Sequence, residues 1–211
     1  MARALYPLMG AAAAAFLSAM AGYALAHFRF AGRDAVFATI LGAILVPATA
    51  LVLPLYLLMN AFGLVNTVWA VLLPSAVSPF GVYLSRIYAS SSVPPDLIEA
   101  ARIEGGGEGQ IFRFVVLPLL SPALVTVFLF QFVAIWNNYF LALVMLSDQH
   151  LFPVTLGLQA WSVAPSNSTT DIFDVGRIIL GASLSILPTL IGFLLLQRYW
   201  RSGLTMGAIK A

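Results

Sequence analysis

No cysteine occurs in this 211-residue chain, lysine occurs once, and charged side chains make up only 9% of it. Each shortage removes a kind of chemistry. Without Cys there is no disulfide, no thiolate metal site and no Cys nucleophile. The single lysine, Lys210, is the penultimate residue. A phosphate-binding P-loop needs its Lys after a Gly-rich loop and before a helix. This chain cannot supply that site, so ATP and Mg, if they drive it, are bound by another chain, and no cofactor is expected here. A net charge of +2 is too small to suggest nucleic acid. His27 and His150 lie far apart, neither with an H-x3-H partner, so no metal site is expected. Gly181-Ala182-Ser183 lacks the following Gly of an intramembrane serine protease, and no G-x-G-D pair marks an aspartyl one. The chain does not read as an enzyme.

What is abundant is apolar surface. The chain is 61% hydrophobic with a mean hydropathy of +0.98, whereas soluble domains are roughly a quarter charged. Apolar runs of about 18 residues or more recur, and each is long enough to cross a bilayer as a helix. The class is an all-α, polytopic transmembrane helical bundle. Five runs read as spans: about Leu5 to Ala26, Val36 to Leu58, Thr67 to Tyr88, Val115 to Leu146 and Val175 to Tyr199. The fourth is over-long for one crossing and is expected to tilt or break near Trp136 and Asn137. Prolines 47, 54, 74, 79, 118, 122 and 188 fall within these runs. Each removes a backbone donor, and in lipid the freed carbonyls must find partners inside the protein.

Basic residues set the orientation. With Ala89–Phe114 in the cytoplasm, eight of the ten basic residues lie inside: Arg29, Arg33, Arg86, Arg102, Arg113, Arg198, Arg201 and Lys210. Only Arg3 and Arg177 lie outside, with Asp148, Asp171 and Asp174. Five spans and a cytoplasmic tail then leave the N-terminus outside, against the charge of Arg3. The basic start and Ala24-Leu25-Ala26 also fit a signal peptide with an A-x-A site, although the apolar run exceeds a usual h-region.

The stretch "EAARIEGGGEGQIFRFVVLPLL", Glu99 to Leu120, is the anomaly. With Asp96 it holds four of the eight acidic residues, Asp96, Glu99, Glu104 and Glu108, and three consecutive glycines. Val93-Pro94-Pro95-Asp96 ends one element and starts another, since Pro suits a first helical turn. Asp96 and Glu99 then sit in a first turn, which favours negative charge. Ala100 and Ala101 are small enough for a partner surface to approach. The expected product is a short helix parallel to the membrane, followed by a glycine turn.

Glu99-Ala100-Ala101, three residues, Gly105, nine residues, then Val115-x-Leu117-Pro118 closely resembles the EAA loop of permease subunits of binding-protein-dependent ABC importers, EAA-x3-G-x9-I-x-LP. Every spacing agrees, and Val115 stands where Ile is usual. The resemblance extends over nearly the whole chain, through "YALAHFRFAGRD", the central core, "WNNYFLALVML" and the tail "QRYWRSGLTMGAIKA", and is greatest to carbohydrate-uptake permeases of the maltose type, second partner. It implies a single permease domain over 1–211 with the type I importer fold, in the inner membrane. It also implies a cytoplasmic coupling loop at about 89–114, a second permease, two ATPase subunits and an external solute-binding protein. Glu99, Ala100, Ala101, Gly105, Leu117 and Pro118 are the implied ATPase-coupling residues. The solute stays open between disaccharides or oligosaccharides, monosaccharides, polyols and glycerol phosphates.

Two features depart from the resemblance. Glu104 precedes three glycines where relatives carry Gly-Ala-Ser or similar after an Asp. Gly106 and Gly107 would each cost about 1 kcal/mol relative to Ala in a helix, and substitution of either by Ala is expected to be tolerated. Five spans are found of a usual six, so the functional product is expected to begin upstream with one more helix. Gln131, Trp136 and Asn137, with Asn138 and Tyr139, are polar or amphipathic groups at membrane depth and candidates for a translocation path, although such groups more often glue helices. The rival readings are a secondary transporter and a non-transporting assembly subunit, as a truncated permease would be. A secondary transporter would show intramembrane charges and repeated halves, and the spans show few of the first and no repeat.

Overall fold

The computed structural model describes residues 2–163 and 171–205, all of them in helices and their connections, with no strand among them. Eleven helices follow in order: α1 (Ala2–His27), α2 (Arg33–Leu45), α3 (Val52–Ala61), α4 (Val68–Ser75), α5 (Pro79–Ser92), α6 (Pro95–Ile103), α7 (Glu108–Leu119), α8 (Ser121–Trp136), α9 (Tyr139–Met145), α10 (Val154–Val163) and α11 (Asp171–Thr205). Three stretches are long and apolar enough to cross a membrane singly: Leu5–His27, Val68–Ser92 and Ile178–Leu195. Two bent pairs, α2 with 48–61 and α7 with α8, raise the number to five. These overlap the five runs expected from sequence, the fourth lying at Glu108–Trp136 where Val115 to Leu146 was expected. The expected tail beyond Thr205, with Lys210, lies outside the described residues.

The second and fourth spans are bent, the fourth at a corner ahead of the break expected near Trp136, and proline is the cause in each. Before Pro47, steric pressure drives Val46 into extended backbone (φ −78°, ψ 122°), and the chain turns through 102°. In the fourth, Pro118 and Pro122 remove two donors from adjacent turns. The 77° corner falls at Leu120, between α7 and α8. The anticipated break near Trp136 is also present, since α8 ends there and Asn138 caps α9, its Oδ1 accepting from Leu141 N–H at 3.1 Å.

Helix α1 is the spine. Its buried positions Ala11, Ala14, Ala15, Ser18, Ala19 and Gly22 recur every three or four residues and face α5 and α8. Small residues let backbones approach closely, and in lipid that contact is a principal source of helix association. A Cβ on Gly22 would lie 2.7 Å from the backbone N of Arg86. Ala24-Leu25-Ala26 lies within this helix, with Leu25 buried.

Two apolar clusters occupy opposite ends of the bundle. One joins the start of α1 to α3, α4 and the α8–α10 region through Tyr6, Met59, Val71, Phe132 and Met145. The other joins the end of α1 to α5, α6 and α7 through Tyr23, Ala89, Val93, Ile98, Ile111 and Val116. At the first end Asn66, at φ 60°, ties two connections together, its Oδ1 accepting from Ser147 N–H at 2.9 Å and Asp148 N–H at 2.8 Å. Asn tolerates that left-handed backbone better than most residues.

Candidate functional site

The acidic, glycine-rich stretch folds as α6, a turn and α7. Pro94 is extended and Pro95 takes the first helical position, so α6 starts as its sequence suggests. Its inner face is Ile98, 3% exposed, with Ala101 packed beside it against Ala19, Tyr23 and Ile111. Its outer face carries Asp96, Leu97, Glu99, Ala100 and Ile103, all exposed. Ile103 is 87% exposed, and Leu97, 43% exposed, lies six residues before it along the slanting i, i+3 row that runs through Ala100. The outward surface is thus an apolar stripe, Leu97–Ala100–Ile103, flanked by carboxylates. Sequence reasoning had noted the alanines and acids but not Leu97 or Ile103; their i, i+3, i+6 spacing was the available signal.

The three glycines do three separate jobs. Gly105 sits at φ +87°, the left-handed residue that closes the helix. Gly106 N–H donates to Ala101 O at 3.0 Å and Gly105 N–H to Arg102 O at 3.0 Å, the paired bonds of a Schellman cap. A Cβ on Gly106 would meet Ala101 O at 2.8 Å, which overturns the expectation that Ala is harmless there. At Gly107 the nearest atom to such a Cβ is 3.9 Å away, so there is room for one. Gly107 precedes α7, and its N–H donates to Gln110 Oε1 at 3.0 Å. No glycine of the three lies inside α6, so the helical penalty does not arise.

The four acids divide. Glu108 turns back, accepting from Arg102 Nε at 2.7 Å, with Tyr23 O–H at 3.5 Å from its other oxygen. This bond pushes the Arg102 pKa further above its ordinary value. Asp96, Glu99 and Glu104 face outward with no ion-pair partner among the described residues. Of the four clustered acids, Glu108 is thus paired and three are left on the outward side.

Beyond the turn, α7 carries a widened turn at Phe112–Val116, where Leu117 N–H reaches back five residues to Phe112 O. Such π-type turns often sit at functional positions. Leu117 packs partly into the α6 cluster, whereas Pro118 is exposed beside the corner at Leu120. Val115 lies partly buried in the same cluster. The stretch from Glu99 to Pro118 is therefore one continuous series of elements: outward helix, capped turn, widened turn, then the corner into α8.

The candidate path residues are engaged elsewhere. Gln131 Nε2 donates to Ser75 O at 3.0 Å; Pro79, four residues after Ser75, has no N–H to offer that carbonyl. Trp136 Nε1 donates to Ser185 O at 3.0 Å, in the turn before Pro188. Asn137 Nδ2 bonds its own helix at Val133 O, 3.0 Å away. The first two hydrogen bonds therefore join helices beside prolines. No cluster of His, Cys, Asp or Glu that could hold a metal occurs among the described residues.

With this geometry in place, residues 6–202 match the family of inner membrane components of binding-protein-dependent transport systems. The chain belongs to that family. Relatives include the arabinooligosaccharide transport permease AraQ of Halalkalibacterium halodurans, 39% identical over 193 residues, covering 92% of this chain and 67% of AraQ. The lactose transport permease LacG of Rhizobium radiobacter is 34% identical over 203 residues, covering 96% of this chain and 71% of LacG. Among solved structures, a bacterial ABC transporter that imports the acidic polysaccharide alginate superposes with a TM-score of 0.80 at 27% identity. That match covers 94% of this chain and 72% of the solved one. This permease thus spans about two thirds of the length of its curated relatives and has the type I importer permease fold. Its relatives are sugar-transport permeases of the inner membrane, subunits of transporters and not themselves enzymes.

Proposed function

We propose that this permease moves a sugar or related solute from an external binding protein into the cytoplasm, with α6 as the element that transmits ATP hydrolysis. The observation that carries the reading is the outward face of α6. Leu97, Ala100 and Ile103 present apolar surface beside Asp96, Glu99 and Glu104, on a helix capped by Gly105 and anchored by Ile98. An exposed apolar stripe with an acidic border suits a groove with a basic rim on a soluble partner. That partner is an ATPase subunit, one of two, and the ATPases bind the ATP and Mg that this chain has no site for. A second permease completes the pathway. Glu99, Ala100, Ala101, Gly105, Leu117 and Pro118 carry the coupling. The bonds of Gln131, Trp136 and Asn137 favour a packing role over solute contact.

Glu99→Lys reverses a charge on this face, and the ATPase is expected to be lost during co-purification with uptake lost in parallel. A charge-assisted bond contributes roughly 1.5–3 kcal/mol when shielded, so recovery should fall at least tenfold. Normal uptake and normal recovery in this variant would leave α6 as an ordinary loop helix. The placement of α6 in the cytoplasm has its own check. Ser91 is exposed just before α6, and Ser91→Cys in this Cys-free chain should resist an impermeant thiol reagent in intact cells and react after permeabilisation. Labelling from outside would reverse the orientation.

A further inference from the structure

We propose that His27 is a positioning residue that couples α1 to the coupling helix, an inference that rests on the role of α6 given above. The joint between α5 and α6 is Val93-Pro94-Pro95. Neither proline has an N–H, and Leu97 N–H goes to Pro94 O at 3.2 Å. The Val93 carbonyl is thereby left without a backbone donor, although Val93 is only 1% exposed. An unpaired buried carbonyl is costly. The imidazole Nε2 of His27 lies 3.0 Å from that oxygen. Because a carbonyl only accepts, Nε2 must carry the proton and donate.

This bond spans 66 residues and joins the last residue of α1 to the hinge of α6. The His27 ring is held by Tyr23, with ring centroids 5.2 Å apart. Tyr23 in turn touches Phe28 and Phe112, and its hydroxyl faces Glu108, which holds Arg102 at the far end of α6. Both ends of α6 are therefore fastened to one turn of α1: the start through His27 and Val93, the end through Tyr23, Glu108 and Arg102. Ile98 fills the space between them. A displacement of α6 by its partner is passed to α1, and α1 is the spine against which α5 and α8 pack.

The test uses the assembled transporter with its ATPases and binding protein in liposomes, reading solute moved per ATP hydrolysed. His27→Leu is expected to lower that ratio about fivefold, the size of one neutral hydrogen bond. ATPase co-purification should stay normal. His27→Gln, whose amide can still donate at similar reach, should restore most of the ratio. An unchanged ratio in His27→Leu overturns the proposal. Loss of ATPase recovery would also overturn it, because the residue would then serve docking. Where His27→Leu does not accumulate in the membrane, His27→Asn is compared with His27→Gln. They carry the same amide one methylene apart, and equal ratios in the two overturn the proposal. The docking role of α6 is judged separately by Glu99→Lys and can fail or stand independently.

Discussion

Gly105→Val should abolish uptake while the protein still inserts and accumulates in the membrane. The reason is local. Gly105 holds φ +87° with open space where a side chain would project. The obstacle is therefore the backbone conformation and not a collision with neighbours. A β-branched residue strongly resists left-handed backbone, and strain of this kind costs on the order of 1–3 kcal/mol. The cap can relieve it only by giving up the bonds from Gly105 to Arg102 and from Gly106 to Ala101. The end of α6 then frays where Arg102 meets Glu108, and the outward face loses its fixed direction. A shift of 1–3 kcal/mol between coupled and uncoupled arrangements is roughly 5- to 150-fold. Uptake in whole cells, set against the amount of protein in the membrane, reads the effect directly. A graded series sharpens it: Gly106→Ala should be intermediate, since its Cβ meets Ala101 O, and Gly107→Ala should behave as wild type. Full uptake in Gly105→Val, or a larger loss at Gly107 than at Gly105, would show that the cap has no part in coupling.

The turn shows how far sequence reaches here. The spacing of Glu99, Gly105 and Pro118 located the stretch, and the proline pair located the start of α6, because both are local properties of the chain. The pairing of Glu108 with Arg102 was not legible. It depends on the Schellman turn reversing the chain, so that residues six apart meet. Span lengths were legible from apolar runs, but which prolines would bend the chain was not. Pro79 leaves Ser75 O without its donor, and Gln131 from α8 replaces it, so Val68–Ser92 still counts as one crossing. Around Pro47 every residue from 41 to 51 is exposed, the Ala43 carbonyl is met by Val46 N–H at 3.3 Å in a closing turn and not by a distant side chain, and the chain turns. The difference lies in a residue over fifty positions away. His27 shows the same limit. Its spacing offered no metal partner, but its acceptor is a carbonyl that no side-chain pattern displays.

The stripe of small residues on α1 leads to the largest expected loss of stability. Gly22→Leu should prevent stable assembly of the bundle. A Cβ at Gly22 would lie 2.7 Å from both Arg86 N and the Ser85 carbonyl carbon. These are backbone atoms of α5, and no rotamer change moves them away. The rest of a leucine side chain would then have to enter a crossing that already buries Ser18, Ala19, Ser85 and Ala89. Even a few extra methylenes in a packed core cost about 1–3 kcal/mol. Water is absent on the outside of this helix pair, so no large hydrophobic gain compensates when the helices move apart. The helices separate, and the cluster around Tyr23 and Ile98 that seats α6 opens with them. The variant should lose most of its accumulation in the membrane, and any purified fraction should melt earlier in detergent, by several degrees or more. Gly22→Ala should fall between. Gly42→Ala on α2 supplies the control, because nothing lies within 4 Å of a Cβ there. That change should be neutral or slightly stabilising, as Ala favours helix over Gly by about 1 kcal/mol. If Gly22→Leu accumulates and melts like Gly42→Ala, α1 and α5 do not cross as closely as the structure places them, and the seating of α6 between them fails with it.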